Sequence, residues 1–281
     1  TGRIGFTVQQ AAAPPSTTAP SATPGPAPST TLPATVDGTA PGDWSSPSWL
    51  GWLLRYGGYL AIMVLGGIAA VEALVWRDLA SSPRARVWSL RAVVAIAATA
   101  LAQLAVLAGD IAGEPPWSAL GDLGTAAETS AGVALVVRIA LAVAVWLLVV
   151  RERPSSPDLY ADVVAILSIG LLATWSFTGH ARSMRWPWLG VSMDVVHHGA
   201  AAAWVGGLLV LGTLVLRRRD PDLSGVTLAR FSRLAGAAVA AIVVTGVFQA
   251  IRLVGGLGPL FGTTHGRLLV AKVVLLAVML W

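Results

Sequence analysis

Seven apolar stretches, each interrupted by two charged side chains at most, occupy roughly residues 49–76, 87–109, 129–150, 159–178, 190–216, 231–253 and 267–281. A run of about 20 apolar residues wound as a helix covers the roughly 30 Å of hydrocarbon in a bilayer. In that medium each backbone N–H and C=O must be satisfied within the segment, and a helix does so. Composition agrees: 55% of the residues are hydrophobic and 12% charged, against about 45–50% and about 25% in soluble domains. A soluble α/β enzyme, a disordered chain and a coiled coil are excluded. The expected fold class is all-α: a polytopic transmembrane helix bundle. The seventh run is too short to span alone, and the chain opens at Thr1 without a signal segment, so a fragment cut at both ends is expected.

Ahead of the first run, Ile4, Phe6 and Val8 alternate at period two over residues 2–8, a strand signal. One strand is not stable alone, so 1–8 is expected to be the last strand of a β-domain. Residues 9–47 are rich in Ala, Pro, Ser and Thr and hold about half of the 17 prolines. Such a composition buries no core and favours extended conformations, so this segment reads as a disordered linker. Residues 48–281 form the membrane domain.

Loop charges set the expected orientation. Arg77, Arg84, Arg86 and Arg91 surround the first loop, Arg151 and Arg153 the third, and Arg217, Arg218, Arg219, Arg230 and Arg233 the fifth. The second loop carries Asp110, Glu114, Asp122 and Glu128 with no Lys or Arg. By the positive-inside rule the odd loops are cytoplasmic and the linker lies outside. Arg182 and Arg185 in the fourth loop run against the pattern. The net charge of +5 thus reports orientation, not affinity for nucleic acid. The absence of cysteine excludes disulfides and thiolate metal sites. The only lysine, Lys272, follows Ala271 in an apolar run, so no Walker-type phosphate loop is present. The Gly66-Gly67 and Gly206-Gly207 pairs read as points of close helix packing.

Ionisable groups within apolar runs are costly and usually face a bundle interior or a polar pathway. Arg55, Glu72, Arg138, Asp194 and Lys272 are the five candidates. Glu72, near a helix end, can equally reach the interface, and Arg138 can equally form a structural ion pair. The four histidines, His180, His197, His198 and His265, all fall in the outer half of the membrane under this topology. Imidazole is a common metal ligand and suits copper. Met193 and His197 are spaced i,i+4 on one helical face, and Trp204 extends the stripe. Asp194 precedes His197 by three residues and His198 by four, so it can orient either ring. Met184 follows His180 by four. Thioether with imidazole favours Cu(I); imidazole with oxygen suits Cu(II) or zinc. An isolated membrane histidine also serves as a helix–helix hydrogen-bonding group.

The stretch Asp194-Val-Val-His197-His-Gly-Ala-Ala-Ala-Ala-Trp204-Val-Gly-Gly207-Leu resembles the D-x-x-H-x(6)-W-x-G-G-L signature of the copper resistance D (CopD) membrane domain. Arg230-Phe-Ser232, Thr245-Gly246, Thr264-His-Gly266-Arg-Leu-Leu269 with Lys272, and Gly179-His180-Ala181 resemble further parts of that domain. The resemblance covers about residues 49–281. His265 departs from it, standing where the family usually has an aromatic residue, so no role is carried over to it. Residues 2–8 are similar to the last strand of the CopC copper-binding β-sandwich, often fused ahead of CopD.

The resemblance implies copper handling at the cell membrane, uptake being the usual proposal, with about eight spans in a whole protein. On this reading a CopC-like domain in the same chain delivers copper ion from outside. His197 is the principal ligand, with His180, Met193, His198 and Met184 around it, and the ion passes Asp194, Trp204, Arg138, Lys272, Glu72 and Arg55. No enzymatic activity is expected. The alternatives are a membrane b-type cytochrome with axial histidines, and a copper sensor or assembly factor that binds without transporting.

Overall fold

The computed structural model describes residues 44–151, 156–178, 186–215 and 221–254, with a few positions between 262 and 274. Of these, the side chains of 157, 215, 221–224, 253 and 254 are not described. The strand expected over 2–8, most of the 9–47 linker and most of the seventh run lie outside the described residues.

Among the described residues all regular structure is helical. Six helices are long and apolar enough to cross a bilayer, so the all-α multispan bundle is as expected. They comprise α1 (Ser48–Leu74), α2 (Pro83–Ala112), α4 (Ser130–Val150), α5 (Pro157–Thr178), a composite fifth span and α8 (Pro221–Val254), with a short α3 (Leu123–Glu128) before α4. The fifth span runs from α6 (Pro187–Ala201) through a π-helical stretch, Ala202–Gly206, into α7 (Gly207–Val210) and a second π-helical stretch, Leu211–Val215.

Local chemistry explains the boundaries. Proline opens α2, α5, α6 and α8, where its missing N–H costs nothing because that group has no intrahelical partner. Thr129 caps α4, its hydroxyl accepting from the Gly132 N–H at 3.0 Å. Gly113 ends α2 at φ 70°, a left-handed cap that glycine adopts without strain. Helix α8 begins about ten residues before the sixth apolar run. The extension over residues 221–230 is too polar to count as part of the apolar run, but proline is favoured at a helix start and the helix begins there. The second loop holds a 3-10 turn over Ala119–Asp122 as well as α3, and their Ala119 and Ala126 pack beside Ala108 and Leu104 of α2.

The two ends of the bundle differ in charge. At the basic end Arg86 donates to the carbonyls of Val149 and Val150 at 2.9 and 2.6 Å. There Arg230 donates to Val75 at 3.2 Å. These are the C-terminal carbonyls of α4 and α1, where cations satisfy orphan acceptors and complement the helix dipole. Arg77 pairs with Asp158 and Asp162 at the start of α5, at 3.3 and 3.1 Å. At the acidic end Asp110 accepts from the Ser46 N–H and hydroxyl at 2.7 and 2.9 Å. Exposed Trp49, Trp52, Trp117, Trp186 and Trp188 ring this end, as aromatic side chains do at a membrane interface.

Helix α1 is the hub, packed on α2, α5, the first π-helical stretch and α7. Ile62, Leu65, Val93, Ile96, Val145 and Leu171 form one buried cluster. Ile68, Val71, Leu79, Val210, Leu214 and Phe231 form another. Lipid tails are as apolar as leucine, so association relies on close backbone approach. The two glycine pairs supply it: a Cβ on Gly67 would run into the Gly206 backbone, one on Gly206 into the Met63 carbonyl, and one on Gly66 to 2.9 Å from Ala202.

Candidate functional site

Helix α6 is regular over Pro187–Ala201, so adjacent His197 and His198 point about 100° apart around its axis. His197 faces α8, where its Nδ1 lies 2.9 Å from the Thr245 hydroxyl oxygen. That hydroxyl donates its own hydrogen to the Ala241 carbonyl at 2.6 Å. Its oxygen therefore accepts, and the hydrogen of neutral His197 sits on Nδ1. Gly246 gives the ring room: a Cβ there would stand 3.3 Å from the His197 Cε1.

His198 is held differently. Its Nδ1 lies 2.9 Å from the Asp194 carbonyl oxygen and 3.5 Å from the Asp194 carboxylate. A carbonyl only accepts, so His198 also carries its hydrogen on Nδ1. The two imidazoles lie 5.9 Å apart between centroids at 85°; His197 also donates to the Ile242 backbone carbonyl of α8, and fixing His198 through Nδ1 turns its Nε2 outward as the acceptor nitrogen. Metal-ligating histidines are held this way, one ring nitrogen fixed by an outer partner and the other free to bind.

A stacked column leads away from the pair. His198 lies on Tyr59 of α1, centroids 5.7 Å apart and planes 6° apart. Tyr59 lies on Trp175 of α5 at 5.7 Å. The Arg138 guanidinium of α4 sits 3.6 Å from the Trp175 ring centroid, and its Nε donates to the Thr174 hydroxyl at 2.9 Å. Arg138 is 1% exposed, and among the described residues no carboxylate pairs with it. A charge at mid-bilayer costs about 2.5–3.5 kcal/mol on insertion scales. A desolvated cation–π contact recovers about 2 kcal/mol of that, and the Thr174 bond contributes further.

The other expected site residues are dispersed. Met193 is half-buried one turn before His197, as its spacing requires. Trp204 stands in the first π-helical stretch, whose i→i+5 bonding shifts the angular register that a seven-residue spacing assumes. Arg55 lines a cavity of about 310 Å³ with Tyr59, Gln103, Asp110, Arg138 and Trp175. Glu72 is buried toward the basic end, in a small pocket with Arg86, Ser89 and Tyr160, away from the histidines. His180, Met184, His265 and Lys272 lie outside the described residues. Among the described residues no three His, Cys, Asp or Glu side chains gather as a metal cluster. Tyr59, Trp175 and Thr174 escaped the sequence reading, since aromatic and hydroxyl side chains in apolar runs look like ordinary packing.

Six spanning helices and two half-buried imidazoles poised through Nδ1 define a class: a polytopic membrane protein with a candidate ligand pair between α1, α6 and α8. Residues 46–191 match the family described as Copper resistance protein D-like, N-terminal domain, and residues 225–281 match Copper resistance protein D. The first match alone covers more than half of the chain, which belongs to the copper resistance protein D-like family. The histidine pair falls between the two matched stretches. Copper transport protein CutJ of Bacillus subtilis (strain 168) is 33% identical over 151 residues, 52% of this chain and 28% of that protein. The matched part is thus under a third of that relative's length. No solved structure matches the chain.

Proposed function

We propose that this chain is the membrane part of a copper transporter that takes the ion from outside and carries it inward, without catalysing a reaction. The observation that carries this reading is the adjacent imidazole pair of His197 and His198, 5.9 Å apart between centroids, each with its Nδ1 held by an outer partner. Family membership and the likeness to a copper transport protein support copper as the cargo. His197 is the principal ligand and His198 its neighbour; Met193, one turn before His197, adds a thioether that favours Cu(I). His180 and Met184 complete the ligand set in this proposal. The acidic end with its linker faces outside and the basic end faces the cytoplasm, as loop charge directs. A CopC-like domain ending at residues 1–8 hands over the ion.

The test is copper accumulation in proteoliposomes holding the full chain, wild type against His197→Ala/His198→Ala. Accumulation in the wild type and its loss in the double variant are expected. Equal accumulation in both would overturn the assignment. A haem Soret band from the purified protein, with no copper bound, would replace it with an electron-transfer role.

A further inference from the structure

The cavity of about 310 Å³ at the acidic end is separate from the histidine pair, with Tyr59 standing between them. Its chemistry suits the opposite charge. Arg138 lines it while 1% exposed; its guanidinium lies over the Trp175 ring, and of its nitrogens only Nε makes a hydrogen bond, to Thr174. The two terminal nitrogens of that guanidinium, with four N–H donors between them, have no acceptor among the described residues. Arg55 lines the same space and has no ion-pair partner among the described residues. The one carboxylate in the wall, Asp110, is engaged by both the backbone and the hydroxyl of Ser46. Two guanidiniums against one carboxylate leave a single positive charge in the wall, with Arg138 buried at its floor and Arg55 and Asp110 exposed at its margin.

Buried polar groups are ordinarily hydrogen-bonded, and a buried charge ordinarily has a partner. We propose that this cavity binds a small monoanionic carboxylate, held by the terminal nitrogens of Arg138 and reached by Arg55. A planar guanidinium fork matches the two oxygens of a carboxylate, and a monoanion matches the net charge of the wall. The bound anion neutralises Arg138 beside the Trp175–Tyr59–His198 column. A cation held at the histidines then meets no bare positive charge across it.

The test is saturation-transfer NMR on the full chain in neutral detergent, with acetate as the probe and copper absent. It compares wild type, Arg138→Gln, Arg55→Gln and Arg84→Gln; Arg84 is an exposed residue at the basic end. Transfer to the acetate methyl is expected in wild type and in Arg84→Gln, with acetate affinity about tenfold weaker in Arg138→Gln, as loss of charge-assisted hydrogen bonds implies. If Arg138→Gln lacks wild-type helicity by circular dichroism, Arg55→Gln decides in its place, and its affinity is expected to fall severalfold. No transfer in wild type, an unchanged affinity in the deciding variant, or an equal loss in Arg84→Gln would overturn the proposal. Because copper is absent throughout, failure here leaves the transport reading standing, and failure of that reading leaves this one.

Discussion

Thr245 holds the Nδ1 side of the His197 ring. Its hydroxyl donates to Ala241 at 2.6 Å and accepts from the imidazole at 2.9 Å, so a shape-matched valine removes the orienting bond while keeping the volume. Loss of such an outer partner typically weakens metal affinity 10–100-fold. Thr245→Val is therefore expected to bind copper about tenfold or more weakly with wild-type helicity, as read by competition with a chromogenic chelator. Unchanged affinity would show that the tautomer of His197 is irrelevant to binding. The histidines themselves were legible in the sequence, because an imidazole in an apolar run is conspicuous. Their partners were not: Thr245 lies 48 residues from His197, and spacing along one helix says nothing about which neighbouring helix it meets. Asp194 was expected to meet either ring through its carboxylate; it meets His198, and the shorter contact is through its backbone carbonyl, at 2.9 Å against 3.5 Å for the carboxylate.

Among the elements, the crossing of α1 with the first π-helical stretch places Tyr59 beside His198. Gly67 and Gly206 let the two backbones meet, leaving no room for a side chain on either. Overpacking of a close-packed interior costs typically 1–3 kcal/mol. Gly206→Leu should accordingly lower the thermal midpoint of the purified protein by several degrees and reduce copper binding with it. A variant with unchanged midpoint and unchanged binding would show that the crossing does not position the site. The glycine pairs could be read from sequence as packing points because small residues in spans have few other uses. The π-helical stretches could not, since a shift from i→i+4 to i→i+5 bonding carries no residue signature. That is why Trp204 could not be placed by counting from His197.

On the scale of the whole molecule, the six spans of the described residues follow from apolar run length alone, because hydrocarbon forces the backbone to satisfy itself. Helix ends drifted most where a helix continues past its apolar run, as over residues 221–230 at the start of α8. The segregation of charge between the two ends predicts orientation, and the absence of native cysteine allows a direct check. Single cysteines at Ser29 and Ser224 should react with an impermeant maleimide in intact cells at 29 and not at 224; the reverse pattern would overturn the proposed orientation. The central claim, that the imidazole pair of α6 holds copper, is tested most directly by copper stoichiometry and thermal midpoint on the same purified samples of wild type, His197→Ala and His198→Ala. The account predicts bound copper in wild type, its loss in His197→Ala, weakened binding in His198→Ala, and midpoints close to wild type in both. Full copper occupancy in both single variants and in His197→Ala/His198→Ala would contradict it.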